Sequence, residues 1–359
     1  MKTYHLIFIC ILGLCLGCTD RSTKVGAAGE LGSTIDLTLQ EVVDSFLVQK
    51  MQEVEALQGQ AIVMEVGTGE IRAMVGRERE TNGTYAACEN YAVQQEVGSS
   101  MMPVMMLAAL ETGEVQMNDS VDVGNGVWLL DGRFMKDHNW RKGGYDRKIR
   151  MDEVLMFCSN VGISKVIWNV YKDKEQTLFS QLDQMRFGQP ENMDGISDFE
   201  PVLQSSPNDS NWVASRIIYH AIGYERLVAP IQLLAFYNAI ANGGKMMKPT
   251  LRTGQTEVIN EQIAKPENIL SIQRALVETT SEVGLGKRAA TPKTIVAISV
   301  GIAQVDVEEY HMNACGYFPA DNPKYSIVLS MNKRHIPVTA GGMLGPVFKD
   351  IAEWICNNE

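Results

Sequence analysis

Three apolar runs in the last quarter of the chain decide the fold class: TIVAISVGIAQV (294–305), MNACGYFP (312–319) and YSIVLSMN (325–332). They are rich in β-branched and aromatic residues and are separated by short polar connections, which is typical of neighbouring strands. A helical pattern, MLGPVFKDIAEWI (343–355), follows them. These segments predict strands that lie side by side and a helix that covers them.

Two further elements are predicted near the other end of the chain. AIVMEVGTGEIRAMVG (61–76) contains two short apolar runs around a Gly-Thr-Gly turn, which is typical of a β-hairpin. Before it, TIDLTLQEVVDSFLVQKMQEV (34–54) keeps apolar residues at helical spacing behind Asp36. This pattern predicts an amphipathic helix with an acidic residue at its start.

Most of the remaining helices are predicted in the middle of the chain. The candidates are 95–111, which is apolar nearly all round and ends before Gly113, 151–171 in two pieces, 229–245 and 271–282. Two stretches without a regular pattern are 120–148, an irregular excursion, and 173–226. Because strands and helices fall in separate stretches, we predict an α+β domain with an antiparallel sheet of about five strands flanked by helices.

The composition narrows the classes of function. The chain has 359 residues, 45% of them hydrophobic, with a formal net charge of −11 and a pI near 5.1. An acidic chain without a basic run is a poor candidate for binding nucleic acid, and five scattered histidines show no metal spacing. We therefore predict no nucleic-acid partner and no metal.

The first 33 residues resemble an export leader. LIFICILGLCLGC (6–18) follows one lysine, has the length of a signal-peptide core and is short for a membrane span. Its end at Cys18 is similar to a bacterial lipoprotein signal, in which the cysteine carries the lipid. We predict a signal peptide (1–18), a short tether (19–33) and one folded domain (34–359), with a plain secretory signal as the alternative.

Four cysteines lie beyond the leader, and their wide spacing matches no zinc site. They are Cys88, Cys158, Cys315 and Cys356. Export permits disulfides, and four cysteines allow three pairings. Isolated thiols are the other interpretation, and the spacing does not choose between them.

A glycine and two serines lead into the apolar helix in QEVGSSMMPVMMLAAL (95–110). A serine at the first turn of a buried helix is favourably placed for a nucleophile, because free N–H groups and the helix dipole favour negative charge there. A serine also needs a base beside it. One turn further along the helix, the base position holds Met102.

Long segments of the sequence resemble the transpeptidase domain of class B penicillin-binding proteins over about residues 34–356. The segments are STIDLTLQ (33–40), IVMEVGTGEIRAMV (62–75), YERLVAPIQLLAFYNAIANGGKMMKP (224–249) and GYFPADNPKYSIVLSMN (316–332). The resemblance implies a serine β-lactamase-like fold, D,D-transpeptidase chemistry and no cofactor. In that chemistry a serine attacks the peptide carbonyl, a lysine takes its proton, S-x-N relays protons and K-T-G holds the substrate carboxylate.

The serine motif of the family is Gly-Ser-Thr-x-Lys-Pro, and here it reads GSSMMP. Gly98 and Pro103 set the register, so Ser99 stands at the nucleophile and Met102 at the lysine. A thioether has no exchangeable proton and cannot replace an amine as a base. We predict that Ser99 keeps an ordinary high pKa and is left as an N-cap.

The other two motifs are also altered. In the S-x-N motif, Asn160 is kept, but Cys158 replaces the first serine, and a thiol is a weaker hydrogen-bonding group. In the K-T-G strand motif, Ser299 replaces the lysine and Val300 the threonine, whereas Gly301 is kept. The cation and hydroxyl for a substrate carboxylate are therefore missing.

No displaced copy of the motifs is predicted. Ser330 and Lys333 have the nucleophile–lysine spacing, but they lie at a strand end rather than at a helix start. Lys293 precedes the strand motif out of register. Lys165 lies more than a helical turn beyond Asn160 and is interpreted as a helix-surface residue.

These observations predict a catalytically inactive transpeptidase homologue in the bacterial envelope that acts in cell-wall biogenesis as a binding or scaffold module. The alternative is a divergent serine D,D-transpeptidase that still binds penicillin covalently, with a β-lactamase or β-lactam sensor as a third interpretation. Candidate partners are cell-wall synthesis or division proteins, the peptidoglycan stem peptide and a β-lactam. We predict membrane attachment at the periplasmic face through Cys18, or secretion if Cys18 is not lipidated.

Overall fold

The strands predicted at both ends of the chain meet in one sheet. The computed structural model describes residues 32–145, 147–188, 204–335 and 339–359. The strands are β1 (Ala56–Glu65), β2 (Ile71–Arg79), β3 (Tyr85–Ala87), β4 (Gln95–Glu96), β5 (Ser120–Asp122), β6 (Val127–Leu130), β7 (Arg133–Lys136), β8 (Lys148–Arg150), β9 (Leu227–Val228), β10 (Met246–Met247), β11 (Val258–Asn260), β12 (Ala297–Gln304), β13 (Glu309–Phe318) and β14 (Tyr325–Arg334). The predicted signal peptide, Cys18 and nearly all of the tether lie outside the described residues.

The central sheet has six strands in the order β12-β13-β14-β1-β2-β3, and every neighbouring pair is antiparallel. The predicted α+β class with an antiparallel sheet is therefore confirmed. The five long strands were predicted, and the short β3 adds a sixth at the edge. It has three residues and pairs only over Arg77–Arg79 of β2, which is too short to show a period in the sequence.

Nine α-helices are found in the described part of the chain. They are α1 (Leu37–Val54), α2 (Met102–Glu111), α3 (Met151–Met156), α4 (Asn160–Tyr171), α5 (Glu175–Gln184), α6 (Ile217–Ala221), α7 (Pro230–Ala241), α8 (Pro266–Glu278) and α9 (Ala340–Asn358). The Asp36 carboxylate caps α1 by accepting from the Leu39 amide at 3.0 Å, as the sequence predicts.

The sheet is covered on both faces. Helices α1 and α9 cover one face through Val43, Leu47 and Phe348, all of which are fully buried. The opposite face packs against the central helices, including α2 and α7. Every residue of α2 from Met102 to Leu110 is buried, so the predicted burial of this helix is confirmed.

The structure adds detail where the pattern was weak. The excursion at 120–148 contains the paired strands β6 and β7 and the strand β5, which pairs with β8 at its end. These strands have three or four residues each and are too short to show a period. Helices α5 and α6 lie in the stretch without a predicted pattern, and α8 begins five residues earlier than predicted, with a proline in its first turn.

No disulfide links the four cysteines of the described chain. Among the described residues, no helix is both long enough and apolar enough to span a bilayer.

Candidate active site

The serine lies in a 3₁₀ turn that runs directly into α2. This turn, Gly98–Met101, is called the serine turn below. Ser99 is partly exposed, and no hydrogen bond links its Oγ to any group in the described part of the chain. The predicted N-cap role of Ser99 is wrong, because the backbone of the serine turn is already helical and the N-cap of α2 is Met101.

Three glycines allow the serine turn to approach its neighbours closely. A Cβ on Gly98, whose φ is +55°, would lie 2.3 Å from the Ile302 carbonyl oxygen of β12. A Cβ on Gly301 would lie 2.3 Å from the Val97 carbonyl oxygen, and one on Gly223 would lie 2.1 Å from the Gly98 carbonyl oxygen. Backbone therefore meets backbone on both sides of the turn, which only glycine permits.

Two buried polar side chains tie the serine turn to the sheet and to α7. Asn313 on β13 donates from Nδ2 to the Val97 carbonyl at 2.8 Å and accepts from Ser100 Oγ. The Tyr237 hydroxyl donates to the Ser100 carbonyl at 2.8 Å. Sequence reasoning missed both residues. The one available signal was a polar side chain within an otherwise apolar strand or helix.

Met102 occupies the position of the family lysine and is 1% exposed. It belongs to the apolar cluster that α2 forms with its neighbouring helices. A flexible thioether fills such a space well and offers no proton acceptor of useful strength.

The S-x-N motif lies at the break between α3 and α4, where Cys158 adopts a left-handed φ of +47°. Its Sγ lies 3.6 Å from the Leu155 carbonyl oxygen and 3.8 Å from the Val300 carbonyl oxygen. The second and third motifs are therefore in contact. Burial raises the pKa of the Cys158 thiol to about 12, so it stays protonated at neutral pH.

The remaining polar groups of this motif are engaged in structure. Asn160 Nδ2 donates to the Lys136 carbonyl at 2.9 Å. Ser159 caps α4 by accepting from the Gly162 amide at 2.9 Å, and it donates to Asp137 Oδ1 at 3.0 Å. Burial raises the pKa of Asp137, while hydrogen bonds from Val161, Ser159 and Asn160 lower it. No pattern in the sequence indicates that Asp137 lies beneath the start of α4.

The strand motif lies on β12, the outer strand of the sheet next to the serine turn. Ser299 and Val300 are 4% and 6% exposed. Burial raises the pKa of the Tyr237 phenol well above its usual range, and an interaction with the Ser299 hydroxyl lowers it in part. Val300 is part of the apolar core.

The structure brings the three predicted motifs together around one serine. Gly301 meets the serine turn, and the Cys158 thiol meets the Val300 carbonyl. Ser99 thus lies in the turn that leads into a buried helix, beside the outer strand of the antiparallel sheet.

The penicillin-binding protein transpeptidase domain is the family whose profile matches residues 59–353, and the chain belongs to this family. It is 24% identical over 345 residues to the peptidoglycan D,D-transpeptidase FtsI of Escherichia coli (strain K12), covering 91% of this chain and 56% of that protein. It is 26% identical over 340 residues to the probable peptidoglycan D,D-transpeptidase PbpC of Pseudomonas aeruginosa, covering 90% and 58%. The chain thus spans less than two thirds of these relatives.

The solved structures agree on the fold. The transpeptidase domain of Burkholderia pseudomallei penicillin-binding protein 3 superimposes with a TM-score of 0.79 at 24% identity, covering 93% of this chain and 98% of that one. A peptidoglycan glycosyltransferase from Burkholderia ambifaria gives a TM-score of 0.78 at 24% identity, covering 91% and 97%.

Proposed function

We propose that this protein is a transpeptidase homologue without D,D-transpeptidase activity, which acts in peptidoglycan synthesis in the bacterial envelope as a binding or scaffold module. The observation that carries the proposal is at the serine motif. Ser99 Oγ has no hydrogen-bond partner in the described chain, and the position of its base is filled by a buried methionine.

Acyl transfer by a serine requires removal of its proton as the nucleophile attacks. Met102 cannot accept that proton, and the Cys158 thiol is a weak hydrogen-bonding group whose pKa burial raises to about 12. Catalytic groups act as a unit, so loss of the base alone removes most of the rate. A second group is missing at Val300, whose apolar side chain provides no hydroxyl for a substrate carboxylate.

The framework around the site supports a retained binding role. Asn313 and Tyr237 still hold the serine turn, and the close glycine contacts with β12 are intact. Because these buried hydrogen bonds fix the serine turn, a ligand would meet a preformed surface there. The names of two relatives, both peptidoglycan D,D-transpeptidases, support a ligand in the cell wall and partners among the proteins that synthesise it.

Attachment to the envelope membrane through a lipid on Cys18 is part of the proposal. We expect labelled palmitate to be incorporated into the full-length chain and not into a Cys18→Ser variant. Incorporation into both proteins, or into neither, would remove the lipid anchor from the proposal.

A second candidate, a divergent penicillin-reactive transpeptidase, is favoured by one observation. Ser99 is partly exposed, and its hydroxyl makes no hydrogen bond to any described group, so the carbonyl of a ligand can reach it.

The experiment that separates the two functions is acylation by a labelled penicillin. The purified full-length protein is incubated with the label, and intact mass is read with a Ser99→Ala variant as the matched control. We expect no adduct on either protein. A stoichiometric adduct on the unmodified chain that is absent from the alanine variant would establish the second candidate.

A restored variant tests whether the pocket itself survives. It combines Met102→Lys, Cys158→Ser, Ser299→Lys and Val300→Thr. We expect slow acylation of Ser99 in this variant, because the base, the relay hydroxyl, the cation and its neighbouring hydroxyl return together. Absence of any adduct from a folded quadruple variant would show that the substrate pocket has closed.

A further inference from the structure

A basic surface lies beside the candidate active site of this acidic protein. Residues 133–150 contain seven basic side chains against two acidic ones, Asp137 and Asp146, whereas the whole chain carries a net charge of −11. The seven are all exposed: Arg133, Lys136, Arg141, Lys142, Arg147, Lys148 and Arg150. We call this set the basic surface. It extends over the β6–β7 hairpin, the following 3₁₀ turn and β8.

Most of these cations have no carboxylate partner among the residues that the structure describes. Arg147 pairs with Asp122 at 3.0 Å, and Arg150 pairs with Asp152 at 2.6 Å. The other five make no ion pair within the described part of the chain. An unpaired cluster of exposed cations retains an attractive potential for an anion.

Aromatic rings support several of the unpaired cations. Lys136 Nζ lies 4.7 Å from the centre of the Trp140 ring and 5.5 Å from that of Phe134. The Arg141 guanidinium lies 5.3 Å from the Trp140 ring centre, and Arg133 lies 5.6 Å from that of Tyr219. Rings hold the cations by their faces and leave the charge unneutralised for a ligand.

The basic surface contains a pocket of about 380 Å³, which we call the basic pocket. Lys142 and Lys148 line it, together with Tyr145 and Phe157, whose rings stack at 4.6 Å between centres and 13° between planes. The Tyr145 hydroxyl donates to the Phe157 carbonyl at 3.0 Å, which holds the two rings in place. Glu153 is the acidic residue of the lining, and its Oε2 already accepts from the Arg150 amide at 2.7 Å.

The position of the basic pocket links it to the candidate active site. Phe157 immediately precedes Cys158 in the chain, and the Asn160 amide bonds to the carbonyl of Lys136 in the β6–β7 hairpin. A ligand in the basic pocket would therefore lie on the same side of the domain as the S-x-N motif.

We propose that the basic pocket binds a sugar ring that carries an anionic group, either a carboxylate or a phosphate. Its volume is that of a site for one sugar or a similar small ring. The aromatic walls suit the apolar face of a pyranose, and the ammonium groups of Lys142 and Lys148 neutralise the anion. This inference rests on the proposed function as a binding module and names the class of ligand that the module takes.

The test uses the full-length protein and three sugars. N-acetylmuramic acid carries a carboxylate, N-acetylglucosamine 6-phosphate carries a phosphate, and N-acetylglucosamine is the neutral form of the same ring. Saturation-transfer difference NMR and calorimetric titration measure contact and affinity. We expect binding of at least one anionic sugar and at least about tenfold weaker binding of the neutral one, since a charge-assisted hydrogen bond has about that effect.

Variants then locate the binding. We expect Lys142→Glu combined with Lys148→Glu to weaken binding of the anionic sugar by at least about tenfold. Lys172→Glu combined with Lys293→Glu makes the same charge change at exposed lysines elsewhere and is expected to leave binding unchanged. Circular dichroism checks that both variants fold.

The outcomes are distinguishable. Preference for the carboxylate supports a peptidoglycan sugar as the source, and preference for the phosphate supports a phosphorylated glycan. Three results would overturn the inference: the neutral sugar binds as tightly as the anionic ones, no sugar shows saturation transfer, or both double variants lose the same affinity. A penicillin adduct on Ser99 would refute the proposed inactivity without affecting this result, and failure here would leave the acylation result standing.

Discussion

Substitution of Met102 by lysine is the most direct test of whether the base position is still a polar site. In the structure this position is 1% exposed and belongs to an apolar cluster. An ammonium group there would lose its hydration and find no carboxylate among the residues of that cluster. We therefore expect the lysine to be neutral in the folded protein at neutral pH, because burial disfavours the charged form.

The magnitude follows from the change in protonation on folding. Burial lowers the pKa of a fully buried lysine from about 10.4 to a range of about 5 to 7. On folding, the lysine must then release the proton that it holds in the unfolded chain. This release costs about 1.4 kcal/mol for each unit by which the pH lies below the pKa of the unfolded chain. Met102→Lys should therefore lower the free energy of unfolding by roughly 4 to 5 kcal/mol at pH 7, and by about 2 kcal/mol at pH 9.

Urea unfolding of both proteins between pH 7 and pH 10 measures this difference. The sign is that of a lowered lysine pKa, so the deficit is largest at low pH and shrinks as the pH rises toward the unfolded pKa. Met102→Leu keeps the volume and the apolar character, and is expected to cost less than about 1.5 kcal/mol at every pH. A lysine variant whose deficit is small and independent of pH would refute the reasoning, since the ammonium group would then be hydrated.

Three further predictions concern the serine turn and its neighbours. Gly301→Ala should lower the free energy of unfolding by about 1 to 3 kcal/mol, because its new Cβ clashes with backbone. Gly67→Ala is the control: its new Cβ has no atom within 4 Å, and its free energy of unfolding should change by less than about 0.5 kcal/mol. Equal urea midpoints for the two variants would contradict this. Asn313→Ala leaves the buried Ser100 hydroxyl and the Val97 carbonyl without their partner and should lower the free energy of unfolding by at least about 2 kcal/mol; an unchanged melting curve would contradict this. Cys158 should react with iodoacetamide slowly at pH 8 and about tenfold faster per added pH unit, as read by peptide mapping; fast alkylation at pH 8 would contradict its raised pKa.

The residues that hold the serine turn differ from those that would carry out the chemistry. The scaffold can therefore persist where the catalytic groups are absent. The serine turn is held by glycines, by Asn313 and by Tyr237 through backbone contacts and buried hydrogen bonds. None of these contacts uses the side chains at positions 102 or 300. An apolar side chain at either of those positions adds to core packing and leaves the framework unchanged.

Local patterns in the sequence determined most of the secondary structure and the candidate motifs. The alternation and composition of β12, β13 and β14 gave the sheet class, and the period of α1 gave its buried face. The elements that were missed are short, such as β3 with three residues and α6 with five, because a pattern needs several residues to become visible. The identities at positions 102, 158, 299 and 300 also came from the sequence, and they carry the proposal of inactivity.

Only the tertiary structure decided which residues surround the serine turn. Asn313 lies 213 residues from its partner Ser100, and Gly301 meets Val97 across a comparable separation. Such contacts follow from the order of strands in the sheet and from how α2 and α7 pack on it, and no local period encodes that order. The buried place of Asp137 was likewise invisible in the sequence. The cations of residues 133–150 can be counted in the sequence, but a charge in the chain does not show which partners folding will bring to it.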